Sequence, residues 1–124
     1  MKLKVSRAVF FTLLGTLMVS FSSCILYKTQ KGYASYYSDY YEGRKTANGE
    51  IFQHSKITAA HKTLPFGTKV LVTNLSNHKT VVVRINDRGP YVRRRIIDLT
   101  KTAAREIDLI GAGITKVKIR YKRF

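Results

Sequence analysis

Apolar positions along this chain fall into two kinds of run. Ala8 to Val19 is nearly continuous, AVFFTLLGTLMV, whereas beyond Gly32 the runs are short and many alternate with polar residues. Alternation of that kind is the period of β-strands. It is clearest late in the chain, where Val117, Ile119 and Tyr121 interleave with Lys116, Lys118, Arg120 and Lys122. This predicts a half-buried strand with one apolar and one basic face. Thr68–Asn74, TKVLVTN, and Thr80–Asn86, TVVVRIN, predict two β-branched strands close enough to pair as a hairpin. Tyr33–Tyr37 is a β-prone aromatic run, Ile57–Ala60 a short apolar segment, and Arg95–Leu99 a short core strand around Ile96 and Ile97. Ser38–Gly49 is polar and turn-rich, and Leu64-Pro65-Phe66-Gly67 predicts a turn. One helix is expected over Thr100–Leu109: Ala103, Ala104 and Ile107 share a face, Thr100 caps the start and Gly111 follows the end. Short strands and one short helix within roughly 90 residues predict a mainly β fold, a small closed barrel in preference to a sandwich.

The leading run belongs to something else. Lys2, Lys4 and Arg7 precede it, and Ser20, Phe21, Ser22, Ser23 and Cys24 follow. A basic start, a short apolar stretch and a small-residue exit form the layout of a secretory signal. The stretch is short for a membrane span, which takes roughly 20 apolar residues. Cys24 after Ser22-Ser23 resembles the lipobox of bacterial lipoproteins, with Phe21 where Leu is usual. The expected organisation is a signal peptide over 1–23, a lipidated Cys24 with a short tether to Lys31, and one domain over 32–124. An uncleaved anchor over Ala8–Leu26, or a plain secretory signal with a stray cysteine, are the competing readings. Ile25, in place of the Asp that commonly retains lipoproteins at the inner membrane, points to the periplasmic face of the outer membrane.

Cys24 is the only cysteine in the 124 residues, so the domain has no internal disulfide. The formal net charge is +16, and +13 without Lys2, Lys4 and Arg7. Such a surface seeks polyanions. Behind an export signal these are anionic lipids and cell wall. No zinc-finger spacing, helix-turn-helix pattern or ribonucleoprotein aromatic motif is present, so no nucleic-acid partner is expected.

Acids are few. Asp87 closes the second strong strand and opens Asp87-Arg88-Gly89-Pro90, a stiff turn that presents a carboxylate at a strand end. That suits acid–base chemistry; an Asx turn bonding nearby N–H groups is the bland alternative. Glu50, after the turn-like Thr46-Ala47-Asn48-Gly49, and His61, after Thr58-Ala59-Ala60, are the other candidates. There is no HExxH, no cysteine cluster and no GxSxG, so neither a metal centre nor a serine nucleophile is expected.

The motifs Gly32-Tyr33-Ala34-Ser35-Tyr36-Tyr37, Gly43–Glu50, Thr58-Ala59-Ala60-His61, Leu64–Thr68, Val83–Pro90 and Arg95–Thr100 resemble, in order, the rare lipoprotein A family. Thr100 stands where that family usually has Ser, and Ser38 where Gly is common. The resemblance implies a six-stranded double-psi β-barrel with one short helix. It also implies a lipid-anchored lytic transglycosylase that cuts peptidoglycan between N-acetylmuramic acid and N-acetylglucosamine, leaving an anhydromuramic end. On this reading Glu50, His61 and Asp87 are catalytic: Asp87 gives and retakes the proton, Glu50 raises its proton affinity, and His61 orients the sugar or tunes the acid. Tyr36, Tyr37, Asn48, Arg88 and Tyr91 would contact substrate, and Asp98 would cap the turn before the helix. No cofactor is expected; the partners are glycan strands and the membrane, and the protein is a monomer. The alternative is a non-catalytic, expansin-like wall-binding module.

Overall fold

A computed structural model describes Gly15 and residues 25–123. The expected signal peptide, apart from Gly15, and the lipidation residue Cys24 lie outside the described residues.

The strands form where branched residues alternate. β1 is Tyr27–Tyr36, β2 Thr58–Ala60, β3 Lys69–Asn74, β4 Thr80–Asp87, β5 Arg95–Leu99 and β6 Thr115–Lys122, with one α-helix among the described residues, α1, at Lys101–Glu106. They close into a barrel in the order β1-β5-β2-β4-β3-β6. β3 and β4 form the expected antiparallel hairpin, Lys69 opposite Arg84 and Thr73 opposite Thr80. β1 with β5, and β2 with β4, run parallel. The six-stranded, mainly β barrel expected from the sequence is therefore present.

Two boundaries differ from expectation. β1 begins at Tyr27, inside the stretch expected to be a tether up to Lys31. Tyr27 to Ala34 pair in unbroken register with Lys122 to Thr115 of β6. That pairing satisfies backbone groups which an isolated polar stretch leaves to water. The helix ends at Glu106, short of Leu109, because Asp108 takes a left-handed φ of 55°. Ile107 and Leu109 are still fully buried. Thr100 caps the helix as expected, its hydroxyl accepting from the Ala103 N–H.

The core is drawn from the inward positions of every strand, among them Val70, Val72, Val83, Ile85, Ile97 and Ile119, closed by Ala103 and Ala104 of α1. Full burial of each branched side chain contributes about 1.5–3 kcal/mol. All of this core lies between Ala34 and Ile119. Gly32 is where β1 crosses Ile96: an added Cβ would sit 2.6 Å from Ile96 Cγ2. A second, small cluster of Tyr37, Phe52 and Ala60 packs beside the main core.

Candidate active site

The interleaving of strands builds a site at one end of β2. Ala60 lies opposite Asp87 on β4 and opposite Asp98 on β5. Two sequence-distant aspartates therefore flank one alanine, their backbones two strand spacings, or about 10 Å, apart. Both line a cavity of about 440 Å³ with Tyr36, Tyr37, Tyr91 and Arg95. Gly89, with φ of 116°, makes the sharp turn that puts Pro90 and Tyr91 on its rim.

The two carboxyls are held differently. Asp87 Oδ1 accepts the Ala47 N–H at 2.8 Å and the Arg88 N–H at 2.9 Å, and Oδ2 accepts the Tyr37 hydroxyl at 2.5 Å. The Arg88 bond is the local turn contact expected of an aspartate there, and the carboxyl lines the cavity as well. Asp98 Oδ2 pairs with Arg95 Nη2 at 3.0 Å, while its buried Oδ1 has no partner among the described residues. Burial pushes the Asp98 carboxyl above its ordinary range, against the opposing pull of Arg95, and the neighbouring Asp87 charge adds to the rise. Burial, with the Asp87 hydrogen bond, likewise holds the Tyr37 phenol far above its usual value, so it remains a donor.

Of the residues singled out in sequence, Asp87, Tyr36, Tyr37, Arg88 and Tyr91 line this cavity. Three of them, Tyr37, Tyr36 and Arg88, also make contacts within the protein. Tyr37 is buried against Phe52, with ring centroids 4.4 Å apart, and offers its hydroxyl to Asp87 instead of a face to a sugar. Tyr36 donates to the Ile110 carbonyl. Arg88 turns its guanidinium to the His61 and Leu64 carbonyls and stacks on Phe66. Tyr91 is 81 % exposed on the rim, the aromatic most available to a ligand.

Glu50, Asn48 and His61 do not line the cavity. Glu50 takes both Arg84 guanidinium nitrogens, at 2.5 and 2.9 Å, and bonds from the Asn48 and Asn86 amides. Those donors, Arg84 first, draw its carboxyl down to about 2. Glu50 is thus neutralised inside a loop-bracing network, and the carboxyl that faces Asp87 across the cavity is Asp98. His61 is buried; its Nδ1 accepts the Thr63 and Leu64 N–H groups, and Nε2 faces Gln30 Oε1 at 3.1 Å. This fixes the tautomer with the proton on Nε2. Burial, with Arg88 and Lys62 nearby, lowers its proton affinity, so the ring is a neutral brace for the turn after β2. Asp98, expected to brace the turn before the helix, bonds Arg95 three residues back on β5, and Thr100 caps the helix. In the sequence Asp98 is visible as an acid at the end of an otherwise apolar segment, a position that reads as structural until the strands bring it to the cavity. Among the described residues no three His, Cys, Asp or Glu side chains gather as a metal set would require.

A family model described as "Lytic transglycolase" matches residues 29–119. A relative from Treponema pallidum (strain Nichols), "Probable endolytic peptidoglycan transglycosylase RlpA", is 57 % identical over 89 residues, 72 % of this chain and 28 % of its own. "Endolytic peptidoglycan transglycosylase RlpA" of Pasteurella multocida (strain Pm70) is 58 % identical over 88 residues, 71 % of this chain and 30 % of its own. The chain thus spans about a third or less of the length of these curated relatives. Among solved structures, the Streptomyces papain inhibitor superposes with a TM-score of 0.63 at 24 % identity, over 77 % of this chain and 96 % of that one. An expansin from Clavibacter michiganensis superposes at 0.60 with 22 % identity, over 77 % of this chain and 51 % of that one. These two likenesses speak to the fold.

Proposed function

The chain belongs to the lytic transglycolase family, and from that premise we propose that its barrel cleaves peptidoglycan glycan strands without water, between N-acetylmuramic acid and N-acetylglucosamine. The observation that carries this reading is the pair of aspartates on one cavity with opposite surroundings. One carboxyl is held by three donors and the other is buried with an unpaired oxygen, and that difference divides their roles. Asp98, whose proton affinity burial raises, holds the proton and gives it to the glycosidic oxygen. The bond from the muramic C1 to that oxygen breaks through an oxocarbenium-like state. Asp87, fixed by Tyr37, Ala47 and Arg88, takes the proton from the muramic C6 hydroxyl as its oxygen bonds to C1. An anhydro ring closes, and solvent returns the proton from Asp87 to Asp98 for the next cycle. Tyr91 stands where a sugar ring would enter.

The reading extends to placement. The Ser22-Ser23-Cys24 exit and the basic, apolar leader support export and a lipid anchor on Cys24, at the periplasmic face of the outer membrane with Ile25 next in line. We take the working unit to be a monomer, since the barrel closes on its own strands and leaves no open sheet edge.

The test is digestion of purified sacculi by wild type, Asp87→Asn and Asp98→Asn, with products identified by mass. Anhydro-ended fragments from wild type alone are expected. Full activity in either variant would overturn the division of roles. Wild type that sediments with sacculi yet releases no anhydro ends would make the domain a wall-binding module instead. Labelled palmitate carried by wild type and lost in Cys24→Ala tests the anchor.

A further inference from the structure

The charge of this protein is not spread evenly over its barrel. β3, β6 and β1 are consecutive around the barrel wall. None of the seven acids falls within these three strands. Lys28, Lys31, Lys69, Lys116, Lys118, Arg120 and Lys122 do, and among the described residues none of these seven cations is in an ion pair.

The outward face of this wall is not merely basic. Val82, Leu71 and Arg120 stand side by side on β4, β3 and β6. They line a shallow groove of about 540 Å³ together with Tyr27, Lys69 and Lys122. Arg120 stacks on the Tyr27 ring at 4.2 Å. Val82 is 53 % exposed and Tyr27 48 %, and the half-exposed Ile25 and Leu26 extend the apolar strip ahead of β1. The arrangement is an apolar floor with a rim of unpaired cations. A soluble polyanion uses such a rim but gains nothing from the floor. A bilayer with anionic head groups uses both, head groups on the lysines and apolar side chains at the acyl boundary.

The geometry points to a second membrane contact: the β4-β3-β6-β1 groove docks the barrel onto an anionic lipid surface. This is separate from the Cys24 anchor and does not rest on the cleavage chemistry. It also orients the molecule. Tyr27 of the groove starts β1, and Ser35 of the aspartate cavity lies eight residues along the same strand. At about 3.3 Å per residue that is about 26 Å of strand between the docked face and the cavity.

The test uses residues 25–124, which hold all six strands and the whole core, and so fold without the leader. Co-sedimentation is measured with phosphatidylcholine vesicles, alone or with about 30 % phosphatidylglycerol. Binding to the anionic vesicles only is expected, falling tenfold or about that in the triple variant Lys69→Glu, Arg120→Glu, Lys122→Glu. Equal binding to both vesicles, or an unchanged triple variant, would overturn the proposal. Val82→Ser, at an exposed position, guards against a charge variant that fails to fold. It should weaken vesicle binding several-fold while leaving retention on soluble polyphosphate and digestion of sacculi unchanged. Vesicle binding untouched by Val82→Ser would mean a general polyanion surface and would refute a lipid dock.

Discussion

Glu50 and Asp98 are two acids of one small barrel, and they live in opposite worlds. Glu50 sits in a motif shared with a family of glycan-cutting proteins, yet its carboxylate is saturated by Arg84, Asn48 and Asn86. Asp98 sits where a sequence reader expects a structural turn, yet the residue lines the same cavity as Asp87 and one of its oxygens is buried and unpaired among the described residues. The Glu50 carboxylate is committed to Arg84 and two amides away from the cavity, whereas Asp87, with three partners of its own, lines it. Asp98, buried with an oxygen left unpaired, has its proton affinity raised, against the pull of Arg95.

The sharpest way to break this contrast is kinetic. Asp98→Asn is expected to lower sacculus cleavage by about 100-fold or more, a typical loss for an acid–base group, while Glu50→Gln keeps activity within about tenfold of wild type. The reverse order would return Glu50 to the chemistry. Next in size is Tyr37→Phe, which removes the hydroxyl holding Asp87 Oδ2 without emptying the Tyr37–Phe52 packing. A fall in kcat of about tenfold with KM held is expected, since the lost contact positions a reacting group and does not bind sugar.

Stability separates the pair in a third way. Glu50 has its carboxyl drawn from 4.5 down to about 2, so its contribution is full above pH 4.5 and is lost as pH falls toward 2. Being partly exposed, the contact is worth about 1 kcal/mol. Urea melts of Glu50→Gln should therefore trail wild type by that amount at pH 7 and converge with it near pH 2. The smallest effect concerns His61. Its folded proton affinity lies below the ordinary 6.5, so its share of stability is full above pH 6.5 and declines as pH falls below it. Wild type should lose stability between about pH 7.5 and about 5, and His61→Asn, which keeps an acceptor for the Thr63 and Leu64 N–H groups, should flatten that slope.

Much of the barrel was legible because its strands announce themselves locally. The alternation of β6 and the branched runs of β3 and β4 carry their own register. The first half of β1 was not, because Tyr27-Lys28-Thr29-Gln30-Lys31 has no apolar period; only β6 beside it makes it a strand. The site divided along the same line. Asp87 was visible, since the turn that displays it is local. Asp98 joins it only because β2 threads between β4 and β5, a fact of topology that no short motif encodes. The setting of His61 was hidden for the complementary reason: the groups that occupy its nitrogens are backbone N–H groups and a glutamine 31 residues earlier, none of them visible as a pattern.

The pairing of β1 with β6 has a consequence in time. The first strand made finds its partner in the sixth, and β3, too, leans on that sixth strand. Until Lys122 has been synthesised, β1 and β3 both lack a neighbour and the wall stays open. Contacts between such remote parts of a chain form slowly. The growing polypeptide is therefore held back from its final shape until almost the whole domain exists. If the leader exports the chain as proposed, a protein threaded through a membrane before it folds gains from that delay.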